Sequence, residues 1–251
     1  MFSSSTVYFL YLLAHFCALT TIYLSIRQML VNTGQPRKQA IIFALVYLGC
    51  TFLIAKILFD LFKSNRAFVF FNLVNPGHYV EPGFWGWMLA FLTLSVLYPF
   101  LFKLNRTEFF RALALSLPLV IFFQKMGCLA AGCCLGVESH LPWCFAYPTH
   151  WGSSIYGPPV HPVPIYDAIL MLFLLGVLRG MDRKETVRPY LYPVFLLLYS
   201  LSRFMTEMLR PISSEHLSSS QLFELVALAL ALTLLTVGRK PWLRILEQTP
   251  Q

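Results

Sequence analysis

Seven apolar runs succeed one another along this chain: about Val7 to Ile26, Ala40 to Phe62, Phe84 to Phe102, Ala112 to Phe123, Ile165 to Val177, Tyr190 to Leu209 and Leu222 to Val237. A helix that crosses hydrocarbon needs about 20 mostly apolar residues, because every backbone polar group must be bonded within the segment. The fourth and fifth runs are short and are expected to tilt or to lean on the segment between them. Hydrophobic residues make up 57% of the chain and charged ones 12%, with a mean hydropathy of +0.66, which is not the composition of a soluble domain. The expected fold is an all-α integral membrane protein of about seven transmembrane helices, one multi-pass domain over residues 1–251. No basic region precedes the first run and no small-residue cleavage pattern follows it, so it reads as a retained span rather than a signal peptide.

Lys and Arg accumulate in short cytoplasmic loops. Arg27, Arg37 and Lys38 follow run one, and Lys103, Arg106 and Arg111 follow run three. Arg179, Arg183, Lys184 and Arg188 follow run five; Arg239, Lys240 and Arg244 follow run seven. All four clusters fall on one side, which predicts an outside N-terminus, a cytoplasmic C-terminus and outward loops over 125–164 and 211–220. The net charge of +8 is accounted for by topology and anionic head groups, and nothing points to nucleic acid.

Function is expected where this pattern breaks. The glycine-broken stretch Lys125-Met-Gly-Cys-Leu-Ala-Ala-Gly-Cys-Cys-Leu-Gly136 follows run four directly, and irregular backbone at membrane depth survives only inside protein or along a wet cavity. Charges within the runs stand out too, since each costs about 3 kcal/mol at mid-bilayer unless paired or hydrated. Lys56 and Asp60 lie one helical turn apart, the spacing of an internal ion pair. Tyr199, Arg203, Glu207 and Arg210 recur on one face of run six. Arg203 either holds a phosphate in its planar fork, with Glu207 orienting it, or forms a self-contained pair with Glu207.

Four of the six cysteines, Cys128, Cys133, Cys134 and Cys144, crowd around the central stretch. Their spacing is neither a C-x-x-C redox pair nor a zinc knuckle, so packing of small soft side chains is the plainer reading and no metal is expected. Cys144, on the outward side, is open to a disulfide. Leu141-Pro-Trp143 leads to Tyr147-Pro148, and His161-Pro-Val-Pro-Ile-Tyr166-Asp167 opens run five, with prolines presetting the first helical turn. His161, Tyr166 and Asp167 are expected at the membrane interface, and His150 and His161 taken singly are ordinary loop histidines.

Taken together, Gly127-x(4)-Gly132-x(3)-Gly136, Leu-Pro-Trp143, His161-Pro-x-x-x-Tyr166-Asp167 and Tyr199-x-x-x-Arg203-Phe-x-x-Glu207-x-x-Arg210 resemble the prolipoprotein diacylglyceryl transferase family. Tyr8 matches a tyrosine of that family's first span, and the resemblance extends through Lys56 to Gln221. It implies seven spans in the cytoplasmic (inner) membrane of a bacterium, with the glycine-rich segment lining a lipid cavity. It further implies transfer of diacylglycerol from phosphatidylglycerol, or a related anionic phospholipid, to the cysteine thiol of a lipoprotein precursor's signal peptide, with release of glycerol phosphate. No cofactor is implied. On this resemblance Arg203 and Tyr199 are catalytic, and Lys125, Lys56, Cys128, Gly136, His161, Tyr166, Glu207 and Tyr8 bind substrate.

Departures from the family pattern fall on its chemistry. Where the family reads Arg-x-Gly-Asn, this chain has Lys125-Met-Gly127-Cys128, a point charge in place of a bidentate fork. Where the family has His-Gly-Gly-x-x-Gly, it has Glu81-Pro-Gly-Phe-Trp-Gly86, so Glu81, or His78 three residues upstream, is left to serve as base. Pro164 replaces a glutamine, Asp167 a glutamate and Lys56 an arginine. Three functions follow as alternatives: a divergent transferase, a catalytically silent relative that binds lipid or a membrane partner, and a membrane thiol protein built on the cysteines.

Overall fold

The computed structural model describes residues 4–63, 97–148, 156–211, 219–236 and Leu243. Among them the chain forms α1 (Ser4–Asn32), α2 (Arg37–Lys63), α3 (Arg106–Ala131), β1 (Phe145–Pro148), β2 (Tyr156–Val160), α4 (Val163–Asp182), a 3-10 helix (Glu185–Tyr190), α5 (Leu191–Glu207) and α6 (Ser219–Leu235). Thr6–Asn32, Arg106–Ala131 and Val163–Asp182 are long and apolar enough to cross a membrane, and Glu224–Leu235 is a shorter apolar helix. Most of run three lies outside the described residues.

Packing is that of a membrane protein. Ile26 and Leu30 of α1, Leu113 of α3, Leu178 of α4 and Leu191 of α5 are wholly buried, while large apolar side chains such as Phe9, Phe16 and Phe173 stand exposed. An apolar outer face has no place in water and suits lipid. Tyr47, Tyr98 and Phe109 stack edge and face inside, and the Tyr98 hydroxyl donates to the Phe43 carbonyl. At one end of the bundle Arg111 joins the start of α3 to the end of α4 through Asp182, with Glu108 on the same guanidinium at 2.8 Å.

Two expectations change. Run four reads as short and as stopping before Lys125, yet α3 extends over 26 residues to Ala131. Met126, Leu129, Ala130 and Ala131 are good helix formers, and Gly127 is tolerated because it sits where α1 comes close. A Cβ there would stand 3.1 Å from Ala14 Cβ. The break falls instead at Gly132, left-handed at φ 67. Its N–H bonds Leu129 O at 3.2 Å and the next N–H, from Cys133, reaches Cys128 O at 3.0 Å, closing the helix as a Schellman turn. At its start, Asn105 caps α3 by accepting from Glu108 N at 3.1 Å.

The second change is a small antiparallel sheet. β1 pairs with β2 (Phe145 with Val160, Ala146 with Pro159) with an irregularity before Pro148, and Glu138 bridges to Val160 on the other side. Prolines hid these strands, since Pro cannot donate to a ladder. Here they serve as acceptors: Ser139 N bonds Pro159 O at 3.0 Å.

Candidate active site

The glycines fix where the cap meets the helices. A Cβ on Gly136 would stand 2.6 Å from His161 Cβ and 2.7 Å from Leu209 O, so only glycine fits. Through that close approach Gly136 N bonds His161 O at 2.8 Å, Val137 N bonds Leu209 O at 2.8 Å and His161 N returns to Val137 O at 3.1 Å. The segment after α3 is thereby tied by backbone to the start of α4 and the end of α5.

Beneath this junction lies a charged centre. Asp167, near the start of α4, is buried at 1% exposure. Its Oδ2 receives Lys125 Nζ at 2.8 Å and Arg203 Nη1 at 2.8 Å, and Arg210 Nη2 stands 3.8 Å away. Thr206 donates to Oδ1 at 2.7 Å. Arg203 turns its Nη2 to Glu207 at 3.1 Å, and Arg210 reaches the same Glu207 oxygen at 3.3 Å. Glu224 of α6 is 4.0 Å from Arg203 Nε. Three cations thus meet three carboxylates among the described residues, and the fork of Arg203 faces carboxylates on both terminal nitrogens. Burial makes each partner necessary, because removing one member of a buried pair strands the other at a cost of about 3–5 kcal/mol.

Arg210 differs from Arg203. Its Nε and Nη2 are buried and make no hydrogen bond among the described residues, a guanidinium edge of the shape that takes two oxygens of one phosphate or carboxylate.

Of the residues named from sequence, Lys125, Arg203 and Glu207 belong to this centre. Tyr199, buried one turn before Arg203, stacks on Phe195 with ring centroids 5.5 Å apart. His161 and Tyr166 form a separate cluster: the Tyr166 hydroxyl accepts from Trp143 Nε1 at 2.8 Å and lies 3.1 Å from His161 Nδ1. Cys144 is a free thiol rather than half of a disulfide, with its Sγ 3.8 Å from the same His161 nitrogen. Tyr8 sits half-exposed on α1, at helical spacing from Tyr11 and His15. Cys128 lies in the last turn of α3 beside Cys133 and Cys134. His78, His150 and Glu81 fall outside the described residues, and for Lys56 and Asp60 only the helical backbone of α2 is described.

Sequence reasoning missed Glu224, Thr206 and His15. Glu224 is an acid in an apolar run, the same signal that exposed Asp60. His15 packs its ring against Gly127, where a Cβ would meet it at 3.4 Å, with Nδ1 2.9 Å from Tyr11 O. Outside the helices, hydrogen bonds from Cys128 and Cys133, and then the charges of Lys125 and Arg210, draw the Cys134 thiol below its ordinary value. Burial, followed by the neighbouring Cys133, raises the Tyr147 hydroxyl above its own.

Comparison with known proteins supplies a context for this geometry. The family model for prolipoprotein diacylglyceryl transferase matches residues 6–237. The phosphatidylglycerol–prolipoprotein diacylglyceryl transferase of Clostridium tetani is 26% identical over 130 residues, 49% of this chain and 51% of that protein. The second such transferase of Clostridium perfringens is 29% identical over 108 residues, 43% of this chain and 42% of that one. That of Idiomarina loihiensis is 26% identical over 196 residues, 76% and 68% of the two chains. The matched region spans about half the length of the first two relatives.

Proposed function

Since the chain belongs to the prolipoprotein diacylglyceryl transferase family, we propose that it transfers the diacylglyceryl group of phosphatidylglycerol to the cysteine thiol of a lipoprotein precursor. The observation that carries this reading is the guanidinium edge of Arg210, which makes no hydrogen bond among the described residues, beside the buried Lys125–Asp167–Arg203 centre. Such an edge suits the phosphate that becomes the leaving group. In this reading Arg203 and Tyr199 hold the centre in shape, and Lys125 and Arg210 neutralise the phosphate as glycerol phosphate departs. Glu207 orients both arginines. The base that takes the thiol proton is Glu81, at the position of the family's histidine, or His78, three residues upstream. Cys128, Gly136, His161 and Tyr166 line the acceptor's approach, and Tyr8 and Lys56 are assigned to lipid binding by their match to the family pattern.

The same reading completes the architecture: seven spans in the inner membrane of a bacterium, N-terminus outside and C-terminus in the cytoplasm, with residues 132–136 along a cavity open to lipid. The exposed apolar faces of α1 and α4 support it, and so does the gathering of Arg111, Asp182 and Arg188 at the end away from Lys125.

The test is reconstitution of the full chain in phosphatidylglycerol vesicles with a lipobox peptide, following peptide mass. A lipid-sized gain is expected, reduced about a hundredfold by Arg210→Ala and abolished by whichever of Glu81→Gln and His78→Ala removes the base. A second reading, a silent relative that binds lipid or a membrane partner, is favoured by one observation: the centre is already charge-balanced, with Arg203 occupied by Asp167 and Glu207. Phosphatidylglycerol binding with no mass gain in any form would establish that reading and reject transfer.

A further inference from the structure

Cys128, which lines the acceptor's approach in the proposed transfer, stands in a cluster with Cys133 and Cys134, and these two have no part in that reaction. Their three sulfurs all lie within 4.8 Å of one another, and all three are free thiols. Helical periodicity does not produce this. On a helix continued at about 100° per residue, Cys133 and Cys134 would point roughly 140° and 120° away from Cys128 on either side. The turn produces it instead: Gly132 is left-handed at φ 67, and Cys134 takes the same region at φ 61, a conformation that costs a residue with a Cβ. Two left-handed residues within three positions fold the chain back so that both later sulfurs return to the end of α3.

We propose that these three cysteines are a thiolate site for one thiophilic d10 cation, Zn(II) or Cu(I). Zn–S bonds of about 2.3 Å place neighbouring sulfurs about 3.8–4 Å apart, so the observed cluster closes around an ion by side-chain adjustment of about 1 Å or less. Soft thiolates select these ions. Binding releases three thiol protons to solvent and forms three S–metal bonds, with no change of oxidation state. The complex carries a charge of −1 with Zn(II) or −2 with Cu(I), and Lys125 lies one turn before Cys128. Packing does not explain the cluster, because Cys133 and Cys134 are exposed; that exposure also gives an ion its way in. The linear spacing, neither C-x-x-C nor knuckle, speaks against a metal only if the chain between the ligands is a simple loop, and the left-handed turn removes that condition.

The experiment uses the full chain in detergent, reduced and desalted without oxygen. One portion receives Co(II) as the spectroscopic stand-in for Zn(II), another Cu(I) delivered from a chromophoric chelator. Each is then treated briefly with a maleimide, and labelled peptides are identified by mass. One equivalent bound, a thiolate-to-metal charge-transfer band with Co(II) or withdrawal of Cu(I) from the chelator, and loss of label at Cys133 and Cys134 are expected. Zn(II) is then titrated against bound Co(II), and the affinity so obtained, set beside that for Cu(I), identifies the ion. Cys134→Ser should weaken binding at least tenfold, while Cys144→Ser binds as the wild type does. The protection measurement on unmutated protein needs no variant to fold. Unprotected Cys133 and Cys134 in both arms, or equal binding by Cys134→Ser, overturns the site, and neither result bears on lipid transfer.

Discussion

At Asp167 three cations and a hydroxyl converge on two oxygens. Asp167→Asn keeps the shape and removes the charge, leaving three cations against two carboxylates in a buried place. Thermal unfolding in detergent should show a loss of about 3–5 kcal/mol, and a variant as stable as the wild type would mean that the centre is hydrated. Two glycines offer a contrast of another kind. Gly136→Ala drives a methyl against His161 Cβ and the Leu209 carbonyl and should cost about 1–3 kcal/mol. Gly176→Ala, with nothing within 4 Å of the added carbon, should be neutral or stabilising by up to about 1 kcal/mol. Arg203 and Glu207 were visible in the sequence because charges in an apolar run are rare and helical spacing aligned them. Glu207 was legible as a partner of Arg203, but that Asp167 and Glu224 would join it there was not, because they come from helices whose approach only tertiary packing decides.

Among the elements, α3 links the two ends of the bundle: Arg111 engages Asp182 near its start and Lys125 engages Asp167 near its end. Its first turn rests on Asn105, and Asn105→Ala should lower stability by about 1 kcal/mol in the same unfolding measurement, with Asn105→Ser recovering most of it. The apolar runs marked where α1, α3 and α4 lie, with ends displaced by two to eight residues, since burial in lipid leaves the backbone few alternatives to a helix. The C-terminus of α3 was misplaced because Lys125 and Gly127 read as polarity and flexibility in one dimension, whereas an ion pair and a close helix crossing satisfy them in three. β1 and β2 were illegible for another reason: their prolines bond only as acceptors and read as turns, while the two strands find their partners in each other.

For the whole molecule, the proposed sidedness makes an accessible-thiol prediction: in intact cells a membrane-impermeant maleimide should label a cysteine placed at the exposed His140 from outside, and a cysteine placed at Gln251 should label only after lysis. The reverse pattern would invert the topology. The equality of cations and carboxylates in the centre has an electrical side as well. A charge carried across the whole membrane exchanges about 2.3 kcal/mol with each 100 mV of potential, yet with Glu224 ionised the charges of Lys125, Arg203, Arg210, Asp167, Glu207 and Glu224 sum to zero and feel no net pull. A phosphate ester arriving among them carries the first net charge. The resting centre is then blind to the voltage across its membrane, whereas its occupancy by an anionic head group becomes a function of that voltage.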